Sequence, residues 1–145
     1  MIKRSVLCAG LLCASVATAA AEPEDILSPE EFRAFTAGTT LYFAKRGQPY
    51  GAEHYFEDGR VIWSFVDGPC ERGAWFEHDG QVCFAYETQS SAQCWHFFTD
   101  GDAHHGRVVG GDPEEDLTVV GQDSRLLDCP APGVGVSYTV PLRTY

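Results

Sequence analysis

The side chains able to do chemistry in this chain are four of its six cysteines, five histidines, 21 carboxylates and a dense aromatic set. Cys70, Cys83, Cys94 and Cys129 lie beyond the N-terminal segment, and no two are two to four residues apart, the spacing that paired zinc thiolates usually take. An even set so spaced predicts two disulfides, which persist in an oxidising compartment. Oxidation argues against a thiol nucleophile, and Ser64, Ser90, Ser91, Ser124 and Ser137 sit in no nucleophile-elbow context. Among His54, His78, His96, His104 and His105, the adjacent pair His104-His105 is the best lead toward a metal. Neighbours on a strand point to opposite faces, so the pair could share an ion only on a loop, as Asp100-Gly101-Asp102 would allow, with Asp100, Asp102 and His104 alternating to one side. The spacing of a metal site is absent, the sequence assigns no metal ligand, and no cofactor is expected.

Carboxylates and rings complete the inventory. A pair such as Glu53 with Glu77 can be drawn across a barrel lumen, where it would serve hydrolysis. With 21 acids in a short chain such pairs arise by chance, and surface charge is the expectation. The run from Asp112 to Asp116 reads as an exposed loop or strand lead-in that could loosely hold calcium, although the ordered spacing of an EF-hand is absent. Aromatic residues between Tyr42 and Phe98 are denser than one small core obviously requires. Strand cores and cross-strand pairs use many of them. The surplus predicts an aromatic-lined cavity or an exposed patch, with Trp63, Trp75, Trp95 and Tyr55 as candidate ligand-binding residues.

These side chains need elements to position them. Lys3 and Arg4 precede an apolar run from Val6 to Ala17 and small residues from Thr18 to Ala21, the pattern of a cleavable signal peptide over residues 1–21. The run is too short to span a membrane as a helix. Cys8 and Cys13 would leave with it. Residues 22–145 are then expected to form a single β-rich domain with a proline-containing C-terminal tail, about 124 residues able to bury one core. Cleavage removes two cations, so the formal net charge moves from -11 to -13. Nucleic acid and anionic lipid are poor partners for so acidic a surface.

Ser28-Pro29-Glu30-Glu31 carries an N-cap, a proline in the first turn and a capping-box glutamate, which predicts a short helix from Pro29 to Thr36 stopped by Gly38. From Thr39 onward, short apolar runs are separated by Asp58-Gly59, Asp67-Gly68, Asp79-Gly80 and Asp100-Gly101, each expected to form a type I′ hairpin turn. The predicted strands are 40–45, 50–57, 60–66, 73–78, 81–87, 94–99, 106–109, 117–120 and 136–140. Three of the Asp-Gly pairs recur at 21-residue intervals, about one hairpin each. Val61, Trp63 and Phe65 alternate with Ile62, Ser64 and Val66, so both faces carry apolar groups and both must be covered. The fold class is therefore mainly β, an antiparallel up-and-down meander curled into a small barrel or half-barrel with one short N-terminal helix. The polar stretch 88–92 centres a hairpin that sets Cys83 opposite Cys94, leaving Cys70 for Cys129. That second bond would staple the tail over the barrel mouth or sheet edge.

The segments Gly73-Ala74-Trp75 through Val82-Cys83-Phe84 and Gln93-Cys94-Trp95 resemble uncharacterised families of small exported bacterial proteins. More distantly, the chain resembles calycin-type secreted barrels, protease inhibitors among them, which implies a fold and no site residues. The expected function is an exported, non-enzymatic binding module, periplasmic or secreted and monomeric, for a small apolar or aromatic ligand or a protein partner. The alternatives are a periplasmic protease inhibitor, a small hydrolase using barrel-mouth carboxylates, and an envelope structural protein.

Overall fold

The structure is a computed structural model that describes Pro23 and residues 25–129. The expected signal peptide, the strand expected at 136–140 and Pro130 and Pro132 of the tail lie outside the described residues. The chain enters along Asp25–Leu27, where Leu27 N donates to Phe97 O at 2.7 Å and Ile26 bridges to Phe98. Helix α1, Pro29–Thr36, follows with its capping box in place: Ser28 Oγ accepts from Glu31 N, and the Glu31 carboxylate accepts from Ser28 N at 2.8 Å. Gly38, at φ 74°, turns the chain into the sheet and donates to Tyr55 O.

Eight antiparallel strands then follow in sequence order: β1 Thr39–Lys45, β2 Gln48–Tyr55, β3 Arg60–Phe65, β4 Cys70–His78, β5 Gln81–Tyr86, β6 Gln93–Asp100, β7 Ala103–Val108 and β8 Leu117–Asp123. Each pairs with the next, and β8 returns to β1, with Leu41 opposite Gln122 and Lys45 opposite Leu117. The sheet is a closed up-and-down barrel, so no edge strand is left unpaired. The turns joining β2 to β3, β4 to β5 and β6 to β7 contain Asp58-Gly59, Asp79-Gly80 and Asp100-Gly101 and share the end of the barrel where α1 sits. The 21-residue period is thus one hairpin per repeat.

Turn chemistry departs from expectation. Asp79-Gly80 has positive φ at both residues, the type I′ pattern, whereas Asp58, Gly68 and Asp100 do not take positive φ. Loop length decides this. The β2–β3 connection is longer than two residues, and the two-residue loop after Asp100 is Gly101-Asp102, with positive φ at Gly101 alone. A second I′-type pair, Arg46-Gly47, joins β1 to β2.

The interior follows the strand alternation. Leu41 and Phe43 on β1, Glu53 and Tyr55 on β2, Val61 and Trp63 on β3, and Val82 and Phe84 on β5 are buried. Phe32 of α1 plugs one end, fully buried, with its ring centroid 5.5 Å from that of Tyr55, 5.1 Å from Trp75 and 4.4 Å from Phe97. Burying a phenylalanine completely contributes about 2–3 kcal/mol. Phe35 caps the rim beside it, stacked on His104 at 4.1 Å.

The outer wall has its own cover. Tyr42 and Ala52 pack with Val66, Val120 and Leu127, and Thr40 Oγ1 donates to Arg125 O, so the segment after β8 runs back across β1 and β2. Because that hydroxyl proton goes to Arg125, His54 Nδ1 is the donor in its 2.8 Å contact with Thr40. Both expected disulfides form: Cys83 with Cys94 across the β5–β6 hairpin, and Cys70 with Cys129 at the end of the returning segment. The second bond ties the tail to the outer wall, not over a mouth or an edge, because barrel closure removes the edge and the apolar outer face of β1 and β2 is the surface that needs covering.

Candidate functional site

The barrel end opposite α1 holds a cavity of about 130 Å³ within the lumen, lined by residues of β1 to β6 and β8 together with Gln89. Its walls are aromatic: Phe43 lies 5.8 Å from Trp63, Tyr50 lies 6.0 Å from Trp63, and Phe84 stacks parallel to Tyr86 at 6.2 Å. Interior glycines make this arrangement possible. A Cβ on Gly51 would stand 2.6 Å from the Trp63 ring, and one on Gly73 would stand 2.4 Å from Ala85 O and 2.8 Å from the Tyr86 ring. Without those side chains the Trp63 and Tyr86 rings pack directly over the glycine backbone.

At the floor of the cavity is a carboxylate. Glu53 is 3% exposed, faces inward between Gly51 and Tyr55, and accepts a 2.6 Å hydrogen bond from Tyr86 Oη. Burial pushes its pKa up to about 7, against which hydrogen bonding to the tyrosines works in the lowering direction. The Tyr86 hydroxyl is held far above the usual phenol range, first by burial and then by the nearby Glu53 charge, and Tyr55 is raised for the same two reasons. Both tyrosines therefore stay protonated at any working pH. The fully buried Tyr55 Oη interacts with Glu53 as well, favouring the ionised carboxyl, though in looser geometry than the Tyr86 hydrogen bond. At the rim, Glu71 accepts from Thr88 Oγ1 at 3.0 Å, beside the exposed Gln89 and Gln93.

Of the four aromatic candidates, Trp63, Trp95 and Tyr55 line this cavity. Trp75 does not. It lies at the other end of the lumen, against Phe32 and under Arg33, whose guanidinium carbon is 4.6 Å from the Trp75 ring centre. The reason is vertical position: Trp75 lies toward the α1 end of β4, where its backbone N–H donates to Gly59 O in the β2–β3 turn, while Trp63 and Trp95 lie nearer the open end.

Glu53 and Glu77 are not brought together. Glu77 is exposed and accepts from Gly80 N at 3.0 Å, whereas Glu53, expected at the surface, is interior. Alternation carried the signal: Gly51, Glu53 and Tyr55 share one strand face, and Tyr55 marks that face as the core side. His104 and His105 lie on β7 and face opposite ways, His104 against Phe35 and His105 against Phe98 and Thr118. Within the acidic run, Glu115 pairs with Lys45 and Arg46, and Asp116 pairs with Arg107 at 2.7 Å. Among the described residues no group of three histidine, cysteine or carboxylate side chains is placed to hold a metal. Nor is any helix there long and apolar enough to cross a membrane. Two disulfides are compatible with an oxidising location. No protein-family model matches the chain, and neither a curated protein nor a solved structure matches it.

Proposed function

We propose that this protein is an exported, non-enzymatic binding module that takes a small, mainly apolar or aromatic ligand into its barrel lumen. The observation that carries the reading is the aromatic cavity itself, with the buried Glu53 carboxyl and Tyr55 hydroxyl at its floor. Eight-stranded barrels are just wide enough to be filled by side chains or to hold one small ligand. Here interior glycines stand where side chains would have pushed the rings inward, which favours the second use. A volume of about 130 Å³ is close to that of an apolar cavity that accommodates one benzene ring, about 150 Å³. The signal-like N-terminus and the disulfides support a periplasmic or secreted setting.

The test uses ring-sized probes. Phenol and p-cresol, titrated into isotopically labelled oxidised protein, are expected to perturb the amide resonances of Tyr55, Trp63, Phe84 and Trp95. A Leu117→Trp variant, which fills the lumen from β8, should lose those perturbations while keeping its fold by circular dichroism. Absence of any perturbation at millimolar probe in the parent protein would remove the cavity as the functional site.

A second reading, hydrolysis, is favoured by Glu53, since a buried carboxyl titrating near neutrality suits acid–base work. It ranks lower because the lumen supplies one buried acid, not two. Glu71 is engaged by Thr88 at the rim, and no Ser, Cys or Lys lines the cavity.

A further inference from the structure

We infer that the ligand of this cavity is a small organic cation: an amine with a body of about one ring, its ammonium group against Glu53 and its apolar part along Trp63, Phe43 and Trp95. This rests on the binding reading above and names the ligand's chemistry.

The charges on the lining point one way. Two carboxylates, Glu53 at the floor and Glu71 at the rim, face the cavity, and no Lys, Arg or His lines it. The nearest cation at the rim, Lys45, sits 5.2 Å above the Tyr50 ring and is paired with Glu115. Glu53 therefore lacks a cationic partner within the lumen. A buried carboxylate is costly to keep ionised unless a counter-charge and hydrogen-bond donors reach it, and it offers about four lone-pair sites, of which Tyr86 Oη uses one. An ammonium group brings both the charge and the donors. It can also donate to the lone pairs of Tyr55 Oη, the buried hydroxyl whose contact with Glu53 is of loose geometry. An anion would face two carboxylates with no compensating cation. An apolar ligand would leave the Glu53 carboxylate without a counter-charge.

The walls suit the same ligand. A cation within about 6 Å of a ring face is attracted by the ring's quadrupole, and Trp is the best such partner. Trp63, Phe43, Tyr50, Phe84 and Trp95 present rings around one volume. The net charge of -11 draws cations toward the mouth and repels anions.

Titration sets a further expectation. The groups facing Glu53 are Tyr50 and Tyr55 from its own strand, Glu71 from β4 and Tyr86 from β5; the lining residues from β1, β3, β6 and β8 do not titrate. With Glu53 titrating at about 7, only about one molecule in a hundred carries the charge at pH 5. Amine binding should thus weaken about tenfold or more between pH 8.5 and 5, down to the level of a neutral isostere.

The experiment is calorimetric titration of the oxidised protein, in amine-free buffer at pH 8.5, with benzylamine, benzyl alcohol and benzoate. Benzylamine is expected to bind about tenfold or more tighter than benzyl alcohol, the range of a hydrogen bond to a charged group, and benzoate not at all. Glu53→Gln, its fold checked by circular dichroism, should erase the amine preference, bringing benzylamine to within about twofold of benzyl alcohol. Benzyl alcohol or benzoate binding as tightly as the amine would overturn the cation inference while leaving the cavity reading intact. An amine preference that survives Glu53→Gln would move cation binding to the acidic exterior and overturn it too. No binding of any of the three would refute both readings.

Discussion

Glu53→Gln should stabilise the ligand-free protein, and only at high pH. The carboxyl is buried, and its pKa rises from 4.5 to about 7 on folding. For a group raised on folding, the native state binds the proton more tightly than the unfolded state does. Its stabilising contribution is fully present below pH 4.5 and is lost as pH climbs through 7. That loss amounts to about 3 kcal/mol, since each pH unit is worth about 1.4 kcal/mol. Glutamine removes the ionisation, still accepts from Tyr86 Oη, and can donate its amide to Tyr55 Oη. The variant should therefore match the parent near pH 4.5 and exceed it by about 3 kcal/mol at pH 8.5. At an m-value of about 2 kcal/mol/M this is about 1.5 M in the urea midpoint. Urea denaturation followed by tryptophan fluorescence, with disulfides intact, reads the difference at four or five pH values. Other titrating groups, His54 among them, are common to both proteins and cancel. An offset that does not change with pH, or one that favours glutamate at pH 8.5, would refute the burial and charge assigned to Glu53.

Other perturbations bear on the same lumen and its scaffold. Tyr86→Phe deletes the 2.6 Å donor to the Glu53 carboxylate, so the carboxyl resonance of Glu53 in a carbon-13 titration should shift its midpoint upward by about one pH unit. Gly73→Ala drives a methyl to 2.4 Å from the Ala85 carbonyl. Backbone must move, and a loss of about 3 kcal/mol is expected in urea melts, against about 1 kcal/mol for Gly106→Ala, where the neighbour at 3.1 Å is the Phe97 ring. Replacing Cys70 and Cys129 by serine opens a 59-residue link and frees the segment that covers Tyr42, so it should cost about 4 kcal/mol. The same change at Cys83 and Cys94, 11 residues apart, should cost about 3 kcal/mol.

Elements signalled by local chemistry were legible in the sequence. The capping box and Gly38 bound α1 at Pro29 and Thr36, as read, because cap and stop are made by neighbours in the chain. The barrel was legible because Val61 to Val66 is apolar on both faces. Elements set by partners far away were read short. β4 begins at Cys70, three residues before the expected Gly73, because Glu71 and Arg72 pair with Trp63 and Ile62 and show no apolar signal of their own. β8 runs on through Gly121-Gln122-Asp123 because β1 supplies the pairing and Gln122 Nε2 donates to Phe35 O at 2.8 Å. The Arg46-Gly47 turn carries no Asp or Asn, the residues by which such turns are read, yet Arg46 takes φ 50°. Alternation could show which face of a strand Trp75 occupies but not its height in the lumen, which depends on shear.

Glu53 shows why the site was harder to read than the fold. Composition favours an exposed acid, and each of the 21 carries that same expectation. What overrides it is position: barrel closure fixes the inward face of β2 through its pairing with β1 and β3, and Glu53 falls opposite Leu41 and Trp63. A core optimised for stability alone would place an apolar residue there, and would fill the space beside Gly51 and Gly73. The protein instead keeps a carboxyl whose ionisation burial opposes, and rings packed directly over glycine. These two costs meet in one small volume beneath a mouth rimmed by Glu71 and Gln93. Stability gains nothing from that coincidence. A cationic ligand accounts for it, by supplying the charge that Glu53 lacks and occupying the room that the glycines leave.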